Sequence, residues 1–354
     1  MSQSPFFFEL SVKFEFGSAA RYKFYRKLAQ LLENGVALDT ALGQIEAIAK
    51  RGSSSVMPTL YRRWRGNIAN GMNFGACLAP FIPSSEAMLI ETGANSGKLI
   101  TALQNSAESI EQQGKVKKAI ITASAYPMVL VAMLIAALLL SAYKVIPTFE
   151  EIIPVEDWKG VSYVVAITCQ FIRGYAFLVG VCFAGFIALV FYSLPRWTSK
   201  KRVFFDRFVP WSMYRMWQGA SFLLAISSMM AAGVKLDEVS LGKISRRADP
   251  YLKQRIRSLT RFITAGENLG DALYKSGYKF PDEDIIGDLQ IYAKLRGFDH
   301  NLIWITRSWV DSLVERVTMT MKVVNTIILM LIALVIGCLI MSFYDVFQQI
   351  QTIN

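Results

Sequence analysis

The sequence predicts an all-α integral membrane protein with two homologous cytoplasmic six-helix bundle domains and three transmembrane helices. Three observations predict it. Three runs of more than 20 residues carry no charge. One corner is written twice, as "LLENGVALDTAL" (31–42) and "MMAAGVKLDEVS" (229–240). No stretch of any length shows the period-2 alternation of a strand. The bulk composition agrees: the 354 residues are 53% apolar and only 18% charged. That mixture is too apolar for an ordinary soluble protein and too charged for one lying wholly in a membrane.

Residues 1–18 read as an N-terminal tail. "MSQSPFFFELSVKFEF" holds Glu9 and Glu15 among its phenylalanines and lacks the basic start and apolar core of a secretory signal. Two readings of Phe6, Phe7, Phe8, Phe14 and Phe16 stay open: contact with a membrane surface or partner, and packing on their own domain.

Residues 19–118 read as the first domain. Phe24, Leu28, Leu31 and Leu32 fall on one helical face. Gly35 ends that helix, because a left-handed residue is least costly without a Cβ. Leu38 and Asp39 open the next helix, where an acid suits the positive end. "ANGMNFGACL" (69–78) brings Gly71 and Gly75 around Asn73. "FIPSSEAMLI" (81–90) sets Pro83 before serine and acid, a helix-start pattern. Gly97 closes the set, and a long helix over 98–118 leads into the membrane.

The first span is placed at 119–146, with its uncharged stretch between Lys118 and Lys144. Pro127 marks a kink or a changed direction in it. A short loop follows at 147–173. Within it "VSYVVAITCQFI" (161–172) is too short to cross alone and reads as interfacial or as an extension of the next span. The second span is 174–195, with Arg173 at its outer end able to snorkel. The third is 323–344, followed by the tail 345–354. Each uncharged run exceeds the ~20 residues that cross a ~30 Å hydrocarbon core as a helix.

The second domain, 196–322, repeats the first. Phe222, Ile226, Met229 and Met230 repeat the apolar face, Gly233 the stop, and Leu236-Asp237 the new start. "TAGENLGDAL" (264–273) matches Gly71, Asn73, Gly75 and Leu78 with Gly266, Asn268, Gly270 and Leu273. "KFPDEDIIGD" (279–288) sets Pro281 opposite Pro83, and Gly297 closes the copy before a helix over 299–322.

Charge fixes the expected orientation. Residues 1–118 hold 14 Lys/Arg and 9 Asp/Glu, and residues 195–322 hold 21 and 13, whereas 144–173 hold 3 and 4. Lys115, Lys117 and Lys118 precede the first span, and Arg196, Lys200, Lys201 and Arg202 follow the second. By the positive-inside rule both domains and the N-terminus are cytoplasmic, and the loop and C-terminus lie outside. This accounts for the net charge of +11 without nucleic acid.

The chain offers little chemistry. It has no phosphate-cradling GxxxxGK[ST] and no GxGxxG after a strand, so it does not read as an ATPase. Cys77, Cys169, Cys182 and Cys338 form no CxxC pair and no cluster with His300, which argues against zinc. His300 itself reads as a helix-cap or surface residue. Asp282, Glu283, Asp284 and Asp288 resemble a metal cluster only loosely and suit a helix start. Glu91 reads equally as a buried anchor or a surface acid. The spans contain no ionisable residue, against a one-chain pump or channel. No catalytic, cofactor or metal residue is expected.

With these residues on the page, the chain resembles the polytopic inner-membrane platform proteins of type II secretion and type IV pilus assembly systems. Gly35-Val36-Ala37-Leu38 and Gly233-Val234-Lys235-Leu236 look like that family's Gly-Val-Pro-Leu corner, with Ala37 and Lys235 in place of proline. "GMNFGACL" and "GENLGDAL" are similar to its Gly-x-x-(Leu/Phe)-x-x-x-Leu element, and "ETGANSGKL" (91–99) to its Gly-Glu-x-Ser-Gly-x-Leu turn. Tyr126-Pro127 and "VIPTFE" (145–150), with Pro147, resemble the family's entry to and exit from the first span. Glu91-Thr92-Gly93 alters the order of that turn, and "IYAKLRGFD" in copy two lacks its acid and serine. The departures fit a divergent member, of a type IVb or conjugative pilus system.

The resemblance implies a scaffold and not an enzyme. Its implied partners are a cytoplasmic hexameric assembly ATPase, prepilin or pseudopilin subunits, other inner-membrane assembly proteins, membrane lipid and further copies of itself, with no nucleic acid and no cofactor. The alternative is a subunit of a membrane channel or transporter with regulatory helical domains.

Overall fold

The computed structural model describes residues 5–52, 56–246, 248–295 and 297–353, without the side chains of 5–7, 9, 10, 299, 300, 350, 352 and 353. Phe6, Phe7 and His300 therefore lie outside the described side chains. The chain is 82% helical, with no strand among the described residues. It divides into two units. One comprises Met1–Lys117 with Leu194–Leu313, the other Lys118–Ser193 with Val314–Asn354.

The first half of the polar unit runs through α1 (Pro5–Glu15), α2 (Ser18–Glu33), α3 (Leu38–Ala49), α4 (Val56–Ala69), α5 (Phe74–Leu78), α6 (Ser84–Asn95) and the start of α7 (Leu99–Leu140). Its core is built on Trp64, which is fully buried and meets Phe16, Phe24, Tyr61, Phe74 and Phe81 with ring centroids 5.5 to 6.5 Å apart. Edge-to-face and tilted rings at such distances add to simple area burial. Val12 and Phe16 enter this core, and Phe8 packs against it, whereas Phe14 is 91% exposed. The N-terminal segment is thus helix α1, packed on α4.

The second half follows a short α10 (Arg202–Phe205) with α11 (Trp211–Ala231), α12 (Glu238–Arg246), α13 (Pro250–Thr264), α14 (Leu269–Lys275), α15 (Glu283–Tyr292) and the start of α16 (Phe298–Ile353). Helix for helix, α11 to α16 follow the order of α2 to α7. Phe222, Ile226 and Met229 are buried along α11, as Phe24 and Leu28 are along α2; Leu31 and Leu32 are only partly buried. Between the halves, α6 packs against α11 and α12.

The other unit holds the apolar helices. Among the described residues three helices are long and apolar enough to cross a membrane, within Leu99–Glu150, Val161–Arg196 and Asn301–Gln349. Pro127 is buried inside α7, which continues through it. The irregular backbone comes later, as a π turn at Ser141–Val145 leading into α8 (Ile146–Glu150), with Pro147 in its first turn. The helix α9 (Val161–Arg196) takes in the apolar run 161–172, and its one non-helical residue is Tyr175 (φ −121°, ψ 19°). Ala142, Ile146, Ile153, Trp158, Ala166, Cys169 and Val346 form a small core at one end. There the Trp158 Nε1 donates to the Ile153 carbonyl at 3.1 Å. Arg173 does not simply reach for solvent: both of its terminal nitrogens donate to Glu150 at 3.1 Å. Large side chains such as Phe177, Phe186, Leu189 and Met330 stand exposed, as lipid-facing residues would.

Candidate functional site

The repeated corners are alike down to their hydrogen bonds. Gly35 N–H donates to Leu32 O and Val36 N–H to Leu31 O, both at 3.0 Å. Gly233 N–H donates to Met230 O at 2.9 Å and Val234 N–H to Met229 O at 3.0 Å. These crossed bonds satisfy the last carbonyls of α2 and α11. They need a left-handed residue, and φ is +80° at Gly35 and +86° at Gly233. Gly71, Gly97, Gly266 and Gly297 also have positive φ. Leu38 and Leu236 are half-buried just past the corners.

Gly75 and Gly270 serve a different purpose. A Cβ on Gly75 would fall 2.3 Å from the backbone nitrogen of Glu91 in α6, and one on Gly270 would fall 2.4 Å from that of Gln290 in α15. Asn73 and Asn268 start the two short helices by accepting from Gly75 N (2.8 Å) and Asp271 N (2.9 Å). Glu91 is half-buried, between the two roles the sequence left open.

The copies diverge at Asp39 and Asp237. Asp237 caps α12, its Oδ1 accepting from Ser240 N at 2.8 Å while Ser240 Oγ accepts from Asp237 N at 3.0 Å. Asp39 caps nothing; Ala37 is at the cap position of α3. Its two oxygens instead take both arms of Arg65 at 2.9 Å, and this holds the carboxyl below its ordinary value. Next to it, Glu46 accepts from Lys50 (2.8 Å), Arg62 (3.2 Å) and Arg65 (3.3 Å). Lys50 foremost, with both arginines, holds Glu46 below the usual carboxylate range.

Buried charge was not legible in the sequence. Arg202, Asp206 and Arg255 lie at 0%, 0% and 2% exposure. Asp206 accepts from Arg202 Nε at 2.7 Å, Arg255 Nη2 at 3.3 Å and the Tyr251 hydroxyl at 3.1 Å. The Arg255 guanidinium lies 3.4 Å from the Tyr251 ring centroid. Burial pushes Arg255 below its ordinary value. In the first half, Glu86 accepts from Arg21 Nε (2.9 Å) and the Tyr25 hydroxyl (2.8 Å). Burial raises its carboxyl against the pull of both. Glu86 and Arg21 also line a cavity of about 260 Å³ shared with Gln218 and Asp249 of the second half.

Among the described residues no group of three His, Cys, Asp or Glu is placed to hold a metal. Asp282 caps α15 by accepting from Asp284 N at 3.1 Å. All four cysteines are free. Tyr126 is exposed on α7 beside the buried Pro127.

Two repeated helical bundles each end in a helix that runs on into an apolar span. Residues 24–147 match the family "Type II secretion system (T2SS), protein F". The toxin coregulated pilus biosynthesis protein E of Vibrio cholerae is 22% identical over 284 residues, 78% of this chain and 81% of that protein. By these matches the chain is similar to the platform proteins of type II secretion and type IV pilus systems, which are non-enzymatic membrane platforms. Its three long apolar helices fit a multi-pass membrane protein.

Proposed function

We propose that this chain couples a cytoplasmic assembly ATPase to the insertion of pilin subunits at the base of a pilus. The observation that carries the reading is continuity: α7, of 42 residues, and α16, of 56, each begin in a helical domain and end as an apolar span. Unbroken helices give a cytoplasmic stroke a direct path into the bilayer. The basic clusters flanking the spans support a cytoplasmic N-terminus with both domains inside, and an external loop and C-terminus. The Vibrio cholerae relative is named for pilus biosynthesis, which favours a type IVb pilus over a secretion pseudopilus. Assembly as a homo-oligomer, with prepilin and other inner-membrane proteins around it, completes the proposal.

The test is a flexible Gly-Ser insertion between Gly114 and Lys118. The expected result is loss of pili with unchanged amounts of membrane-inserted protein. Normal piliation in that variant overturns the coupling.

A further inference from the structure

The short helix α10 and the turn after it carry their charge on the inside. Arg202 and Asp206, four residues apart, are both fully buried, with Asp206 accepting from Arg202 Nε at 2.7 Å. The phenylalanines beside them face outward: Phe204 is 56% exposed, Phe205 37% and Phe208 53%. The three rings form one patch, the centroid of Phe204 lying 5.8 Å from that of Phe205 and 5.6 Å from that of Phe208. Water favours the opposite arrangement, because burying charge is costly and exposing large rings gains nothing. In the first domain, the helix before α2 follows the ordinary rule more closely. There α1 buries Val12 and Phe16 and exposes Lys13 and Glu15, with Phe14 alone of the three left outside.

The patch is tied to the end of a span. Trp197 directly follows Arg196, the last residue of α9. Its ring centroid lies 4.9 Å from that of Phe205 and 6.3 Å from that of Trp211. From Gly174 to Pro195 the helix α9 carries no charge, so it leaves the hydrocarbon core at Arg196. The exposed charges of residues 196–211 are all positive: Arg196, Lys200, Lys201 and Arg207. Asp206 is the one acid of that stretch, and it is buried.

We infer that α10 and its flanking turns rest on the membrane surface at which α9 ends. Phe204 and Phe208 enter the boundary between headgroups and acyl chains, and Lys200, Lys201 and Arg207 meet anionic lipid headgroups. Aromatic rings next to basic side chains are the composition that settles at this boundary, and basic residues close to a span are drawn to an anionic leaflet. Position selects the bilayer over a protein partner. Phe204 stands eight residues beyond Arg196, and the Trp197–Phe205 contact shortens that reach further. An apolar patch so close to the end of a span meets lipid before a partner can cover it. The inference rests on α9 being a span and not on the coupling proposed above.

The test uses the purified full chain in vesicles of phosphatidylcholine with phosphatidylglycerol, with Phe208 replaced by an environment-sensitive naphthyl amino acid. Lipids brominated near the headgroup end of the acyl chain serve as quenchers. The expected result is a quenched probe. Most of that quenching should be lost in pure phosphatidylcholine, and likewise when Lys200→Gln, Lys201→Gln and Arg207→Gln are combined. The same probe at Phe204 decides the matter if the Phe208 variant fails to fold. A probe left unquenched at both positions would overturn the inference and leave the patch to a protein partner. Quenching indifferent both to phosphatidylglycerol and to removal of the three charges would overturn it as well.

Discussion

Gly75 and Glu91 touch backbone to backbone: the space where a Cβ on Gly75 would sit is 2.3 Å from the Glu91 nitrogen. Neither side is the end of a flexible side chain, so α5 and α6 must part if a methyl is added. Gly75→Ala should therefore cost about 1–3 kcal/mol, as overpacking does, and Gly270→Ala should do the same in the second domain. Gly66, within α4, has nothing within 4 Å of its Cβ position. Gly66→Ala should stabilise by about 0.5–1 kcal/mol. Denaturant titration of the three variants in detergent checks the contrast.

The Arg202–Asp206–Arg255 cluster leaves two buried guanidiniums with one carboxylate. Asp206→Asn keeps the shape but removes the carboxylate that both arginines bind. Breaking a buried pair in this way costs about 3–5 kcal/mol. The measurement is the unfolding free energy from denaturant titration, and a loss under about 1 kcal/mol would mean that water reaches the arginines.

Glu46 supplies a pH dependence with a definite sign. Its carboxyl lies below the ordinary 4.5 when folded, Lys50 being the largest cause. A group depressed in this way contributes stability above its unfolded value and loses that contribution as pH falls through the folded one. Glu46→Gln should thus flatten the acid side of the stability curve below about pH 4.5, with the wild type losing more on acidification. Parallel acid limbs in the two proteins would contradict the assignment.

Gly35 and Gly233 hold left-handed backbone with open space at the Cβ position. Gly35→Ala and Gly233→Ala should each cost about 1–2 kcal/mol from conformation alone. Gly35→Asn should recover part of it, because asparagine tolerates that region. Equal losses for Ala and Asn would point to packing instead.

The spans and corners were legible because each leaves a local mark. A charge-free run is read residue by residue, and Gly35 and Gly233 announce their turns within six positions. The paired contacts of Gly75 and Gly270 showed only as repeated letters, and their reason needed the facing helices. Arg202, Asp206 and Arg255 stood out in no pattern, since the Asp206–Arg255 contact spans 49 residues and charged residues read as surface. Glu86 looked like a helix-start acid, yet it is buried with Arg21, 65 residues away. The different duties of Asp39 and Asp237 were hidden by the Gly-Val-x-Leu-Asp setting they share, although Ser240, the cap partner of Asp237, stands where the first copy has Leu42.

Tyr175, the break in α9, divides that helix unequally. From Tyr175 to Arg196 an α-helix rises about 33 Å, close to the ~30 Å of a hydrocarbon core. The break therefore sets off a stretch about as long as a hydrocarbon core is thick. The part of α9 before it belongs instead to the packing around Trp158 and carries Arg173 to its pair with Glu150.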